Sequence, residues 1–207
     1  MYSEEEEVLL AEPFFEQIVS SLSGLPGIGR KSATRIAFHL LRMDPDSFTN
    51  FLESIKHGKE NLRFCKVCAG ITEHEICDIC TNPNRDSRVL CVVEQPEDIF
   101  FIEKTKVFNG KYHVLNGAIS PLDGIGPDQL RIAELETRCR QEEIQEILIA
   151  TNPTLEGDAT ASYIYGILKD TGIAITRIAH GLTVGGTIEY SDQYTLSKAI
   201  QARLPYR

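Results

Sequence analysis

Four cysteines, Cys65, Cys68, Cys77 and Cys80, form a C-x2-C-x8-C-x2-C array, and their type and spacing speak most directly of chemistry in this chain. Each Cys-x-x-Cys pair makes a tight knuckle whose two sulfurs converge. Two knuckles joined by a short loop close a tetrahedral four-thiolate site, the ligand set of structural zinc. Four protein ligands leave no position for water, so the expected metal, one zinc per chain, builds structure and does no chemistry. Two disulfides would need an oxidising compartment, and the opening Met1-Tyr2-Ser3-Glu4 has neither the basic nor the apolar region of a secretory signal. A redox Cys-x-x-Cys normally occurs once, at a helix start after a strand, whereas two pairs lie here in a polar stretch. Cys91, in an apolar run, and Cys139, in a helical pattern, are expected to be small buried hydrophobes. His74, between the knuckles, is expected to be a loop residue.

A second group of candidates is basic. The formal net charge of −9 argues against coating nucleic acid by bulk charge. That charge is unevenly placed: Glu4, Glu5, Glu6, Glu7 and Glu12 form an acidic leader, while residues 20–42 hold Arg30, Lys31, Arg35 and Arg42 and no acid. Within that stretch, Leu25-Pro26-Gly27-Ile28-Gly29 separates a helical pattern over 13–23 from a second one containing Ala33, Ile36, Ala37, Leu40 and Leu41. The glycines permit a tight turn and a close backbone approach. Lys31 and Arg35, four apart, share a face, with Arg30 at the helix start, where free N–H groups suit a phosphate oxygen. Helix, glycine turn and small-residue helix resemble the helix-hairpin-helix motif of DNA-binding proteins, which grips phosphates without reading bases. A plain αα-hairpin would use the glycines only to turn the chain, and self-association is compatible with either reading.

The third group is acidic, and it depends on the fold. From residue 88 onward, strands expected at 88–93, 111–115, 146–150 and 174–178 alternate with helices expected at 96–106, 127–141 and 156–169. A glycine-marked loop then leads to a last helix over 192–203. That alternation predicts a mostly parallel sheet flanked by helices. Glu94 follows the first strand, and Glu156 and Asp158 follow the third, at the strand ends where such sheets place ligands. Carboxylates after two strands can converge on Mg²⁺; the alternative is that those in the helix's first turn only favour its dipole and cap it. No apolar run approaches the ~20 residues of a membrane-spanning helix, so a soluble, cytoplasmic protein is expected. A chain of 207 residues can bury a real core or divide into a medium domain and small modules.

Residues 25–33, the four cysteines, LNGAISPLDGIG at 115–126, ATNPTLEGDA at 150–159 and GGTIEY at 185–190 together resemble the RecR family of bacterial recombination mediators. The resemblance implies a multi-module α/β chain: a leader and helix-hairpin-helix module over 1–60, a four-cysteine zinc finger over 61–87, a Toprim-like α/β domain over 88–180, and a loop and helix over 181–207. It further implies a cytoplasmic, nucleoid-associated clamp with no catalytic residues, forming dimers to ring-like tetramers. Such a clamp acts with RecO, and RecF where present, to help load RecA at single-stranded gaps. DNA contact then falls to Lys31 and Arg35, with Arg30 added on position, and partner contact or weak Mg²⁺ binding to Glu94, Glu156 and Asp158. Catalytic Toprim domains carry Asp-x-Asp-x-x-Gly after the third strand; here Asn152 and Thr154 replace both aspartates and Gly157 is kept. Two neutral groups cannot offset Mg²⁺ charge, so the alternative of a Mg²⁺-dependent Toprim nuclease or phosphotransferase is disfavoured. The knuckle is expected to be a rigid joint between the helical and α/β parts.

Overall fold

The computed structural model describes residues 12–179, 181–182, 185–203 and 205. The acidic leader, expected to be a solvated tail or frayed turn, lies outside them except for Glu12, the residue before the first helix. Two compact units divide the chain, one ending at Asn61 and the other beginning at Leu62.

In the first unit, α1 (Pro13–Ser23) and α2 (Arg30–Arg42) form a hairpin. Val19, Ala33 and Ala37 are buried between them, with Phe15, Ile18, Leu22 and Ile28 packed around. Two alanines on α2 leave room for α1 to approach, while Phe15 and Phe38 close one flank with ring centroids 4.8 Å apart. A third helix, α3 (Pro45–Asn61), has no counterpart among the elements expected from sequence. Its signals were present: the Asp44 carboxylate accepts from the Ser47 N–H at 2.9 Å as a cap, and Pro45 takes the first helical position. α3 buries none of its residues, and Phe51, Leu52 and Ile55 stand exposed at helical spacing.

The second unit opens with an antiparallel pair, β1 (Arg63–Phe64) and β2 (Ile71–Thr72), and the single turn α4 (Asp78–Thr81). There follow β3 (Asp86–Val93), α5 (Pro96–Thr105), β4 (Gly110–Val114), α6 (Ile132–Gln141), β5 (Glu146–Ala150), α7 (Leu155–Leu168), β6 (Ala174–Arg177) and α8 (Gln193–Gln201). The four long strands form a parallel sheet in the order β4-β3-β5-β6, as the alternating pattern predicts. Successive side chains of a strand point to opposite faces. Leu90 and Val92 therefore join Leu135, Ile147, Ile164 and Leu168 in one core, while Cys91 and Val93 join Ile99, Tyr112 and Val114 in the other. A sheet covered on both faces explains the unbroken apolar run at 89–93.

Two expectations need correction. The helix expected from Pro127 begins as a 3-10 turn, Pro127–Gln129; Leu130 is extended and buries its side chain in the first core, and α6 starts only at Ile132. The four-cysteine segment, expected as a rigid joint between the helical and α/β parts, is built into the second of these. Cys65, Cys68 and Cys77 belong to the second core, against Cys91, Ile99 and Tyr112, so the knuckle is a layer of the α/β unit. The Val114 N–H donates to the Cys68 carbonyl at 2.9 Å, tying knuckle to β4.

Candidate metal centre and nucleic-acid interface

The sulfurs of Cys65, Cys68, Cys77 and Cys80 all lie within 4.8 Å of one another. The Cys68–Cys77 separation is 3.5 Å and the Cys65–Cys80 separation 3.9 Å. Zn–S bonds of about 2.3 Å in a tetrahedron place sulfurs roughly 3.8 Å apart, so the cage fits zinc. Backbone N–H groups of Gly70 and Cys77 point at the sulfurs of Cys68 and Cys65, each at 3.3 Å, which stabilises thiolate charge. Ala69, just after the first knuckle pair, takes the left-handed conformation with φ 60° that turns the loop back on the site. Without a cation four such thiols cannot all ionise. Hydrogen bonds from Cys68 and Cys80 pull Cys77 down, while Cys77 pushes up Cys68 and the Cys68 and Cys77 sulfurs push up Cys80. Cys91 is fully buried and its thiol is pushed up to about 12 by that burial; Cys139 is half-buried, and its burial raises it to about 11. Both thiols are inert at neutral pH. His74 is an exposed loop residue whose N–H donates to the Thr72 hydroxyl at 3.1 Å.

In the hairpin, Gly27 has φ 78° and the Ile28 N–H returns to the Leu25 carbonyl at 3.1 Å. Gly29 is the residue before α2 and supplies no side-chain cap, so the first N–H groups of that helix have no side-chain partner from it. Lys31 and Arg35 are exposed beside this end and make no ion pair among the described residues. Arg30 is different: its guanidinium donates to Glu16 of α1 at 2.6 Å and pins the two helices. The stripe extends beyond the residues chosen from sequence, to His39 and Arg42, the former lining a shallow cavity of about 420 Å³ with Ser32, Arg35 and Ile36. Their spacing from Lys31 and Arg35 carried that signal.

At the sheet, β3 lies beside β5 while β4 lies on its far side, so the C-terminal ends of β3 and β5 flank the switch point where α/β folds bind ligands. Glu94 sits there, only 7% exposed. Its Oε1 accepts from the Asn152 backbone N–H at 2.8 Å, and its Oε2 accepts from the Asn152 side-chain amide at 2.6 Å. Gly157 closes the crevice: a Cβ there would lie 2.0 Å from the Asn152 carbonyl and 2.8 Å from Glu94 Oε1. The cap of α7 is the Thr154 hydroxyl, which accepts from the Gly157 N–H at 3.0 Å; Glu156 and Asp158 occupy the first turn.

Glu94, Glu156 and Asp158 do not come together as a metal-ligating group among the described residues. Asp158 turns instead to Arg177 at 2.5 Å, the Tyr194 hydroxyl at 2.9 Å and Lys198 at 3.5 Å, anchoring α8. Burial pushes its carboxyl up, but the Arg177 and Tyr194 hydrogen bonds and the two cations outweigh that and bring it down to about 2. The contacts of Asn152, Arg177, Tyr194 and Lys198 could not be read from sequence, since each partner lies many residues away.

Comparison with known proteins covers the same segments. Residues 15–58 match the family model described as RecR, helix-hairpin-helix; 62–82 match the RecR four-cysteine zinc finger domain; 88–179 match Toprim domain; and 181–203 match RecR, C-terminal. A protein of Acidothermus cellulolyticus named Recombination protein RecR is 50% identical over 192 residues, 93% of this chain and 96% of that protein. One of the same name from Paenarthrobacter aurescens is 50% identical over 188 residues, 91% of this chain and 94% of that protein.

Proposed function

The chain belongs to the RecR family of recombination proteins, and from that premise we propose that it is a non-catalytic, DNA-binding adaptor of recombinational repair. The hairpin grips phosphates through Lys31, Arg35 and the open end of α2, without reading sequence. The observation that carries this reading is the pairing of two exposed cations, unpaired among the described residues, with an uncapped helix start behind the Gly27 turn. Arg30 lies at the rim of the same turn but is held by Glu16. One structural zinc, held by Cys65, Cys68, Cys77 and Cys80, keeps the α/β unit folded.

The finer role we propose extends the family resemblance. The protein assembles as a homo-oligomer, from dimer to ring-like tetramer, and acts in the cytoplasm at the nucleoid. It docks RecO, and RecF where present, to help load RecA on single-stranded gaps. The exposed apolar row on α3 supports self-association, and the exposed Leu155 beside the half-buried Glu156 at the start of α7 supports partner contact. No described helix is long and apolar enough to cross a membrane.

Fluorescence anisotropy with labelled oligonucleotides of unrelated sequence tests the DNA assignment. Lys31→Glu with Arg35→Glu should weaken binding at least ~30-fold, since each reversed phosphate contact costs on the order of 1 kcal/mol or more, and zinc content should not change. Unchanged affinity in that variant discards the assignment, and Mg²⁺-dependent nicking by the purified protein would contradict the non-catalytic role.

A further inference from the structure

Toprim domains that do chemistry hold Mg²⁺ between strand-end carboxylates, and the residues of this chain do not fit that ion. Three observations carry the point. Both oxygens of Glu94 are already engaged, one by a backbone N–H and one by the Asn152 amide, at 2.8 and 2.6 Å. The group turned toward the carboxylate is a donor: reversing the amide would set two oxygens against each other at that distance, so the NH₂ faces Glu94. Of the acids near the loop, Asp158 is neutralised by Arg177 and Lys198 and held by Tyr194, and Asp98 accepts from the Gln95 N–H at 2.8 Å as the cap of α5. A divalent cation at Glu94 would have to break two hydrogen bonds and meet amide hydrogens. It would find no cluster of three acidic ligands among the described residues, where hard cations need several oxygen ligands.

We propose that Asn152 stands where a cation would bind: its two N–H groups occupy both oxygens of the buried Glu94 and close the strand-end centre to metal. The same pair fastens the end of β3 to the loop after β5. Gly157 is what allows this, since any side chain there would collide with both partners. The loop is thus held from below, and Leu155 and Glu156 are carried on its outer side, with Leu155 79% exposed. The inference is independent of DNA binding by the hairpin.

The test is a charge swap read by thermal unfolding of the zinc-loaded protein in divalent-free buffer, with and without added MgCl₂ or MnCl₂. Asn152→Asp places two carboxylates face to face and should lower Tm by roughly 5–15 °C, with partial recovery on adding Mn²⁺ or Mg²⁺. Glu94→Gln keeps an oxygen for the backbone N–H and lets the Asn152 amide reverse to accept from the new NH₂, so it should lower Tm less than Asn152→Asp does and show no metal response. The double variant Glu94→Gln/Asn152→Asp restores one carbonyl acceptor for the backbone N–H and one amide–carboxylate bond, and should melt within a few degrees of the parent, about 1 kcal/mol. The parent should show no Mg²⁺ or Mn²⁺ response. A parent stabilised by either ion, an Asn152→Asp variant indifferent to both, or a double variant no more stable than the weaker single one overturns the proposal. If Asn152→Asp does not fold, recovery of folding in the double variant supports the pairing and its absence overturns it.

Discussion

His113 shows how much a single side chain can decide. It is fully buried in β4, with Nε2 2.8 Å from the Arg131 carbonyl and Nδ1 3.4 Å from Arg138 Nη1. Nε2 must carry the proton to donate to that carbonyl, and Nδ1 then accepts from the guanidinium, so the ring is neutral. Burial pushes its pKa down to about 4, with the Arg138 and Arg131 charges acting the same way against the pull of the carbonyl. Between pH ~6.5 and 4 the unfolded chain therefore binds the extra proton. The stability His113 contributes is present above about 6.5 and lost as pH falls towards 4, an effect on the order of 3 kcal/mol. Thermal melts across that range should fall less steeply for His113→Asn than for the parent; equal slopes would assign the acid sensitivity elsewhere. The sequence offered no route to this histidine, because its environment is made by Arg131 and Arg138 from a later stretch of the chain. The cysteines were legible for the opposite reason: all four ligands fall within sixteen residues, so local spacing alone encodes the site.

At the scale of elements, the knuckle carries the largest revision. Its cysteines pack into the same core as Tyr112, so losing the metal should unfold the sheet's second face rather than loosen a hinge. The chain has no tryptophan, and Tyr112 is the one buried tyrosine among the described residues, so tyrosine near-ultraviolet circular dichroism reads chiefly this core. Stripping zinc with a chelator should lower Tm by more than ~10 °C and collapse that signal, because bound metal contributes folding free energy. Unchanged melting and dichroism would show that the thiols stand without the ion. β3 and β5 were readable as short apolar runs between turn residues, and β4 and β6 from the strand–helix alternation around them. The start of α6 was not, since Pro127 opens a 3-10 turn as readily as an α-helix and the burial of Leu130 decided the matter. The row on α3 went unread although Phe48, Phe51, Leu52 and Ile55 keep helical spacing. The Glu94–Asn152 pair spans 58 residues and becomes visible only when β3 and β5 lie side by side.

For the whole molecule, the issue is how a chain of net charge −9 binds a polyanion. Long-range attraction is absent, so affinity must come from a few close phosphate contacts, and their number is countable. Each contact neutralised releases counterions, giving a salt slope of about −0.7 per phosphate on single strands and about −0.9 on duplex. Lys31 and Arg35, exposed and unpaired among the described residues, account for two contacts per engaged subunit, whereas Arg30 is committed to Glu16. The measurement that bears most directly on the account is the dependence of log Kobs on log salt for the parent and for Lys31→Ala/Arg35→Ala. The slope should shrink by about 1.4 on single strands, or about 1.8 on duplex, for each engaged subunit. A slope that does not change would contradict the account and move the DNA contact away from the hairpin.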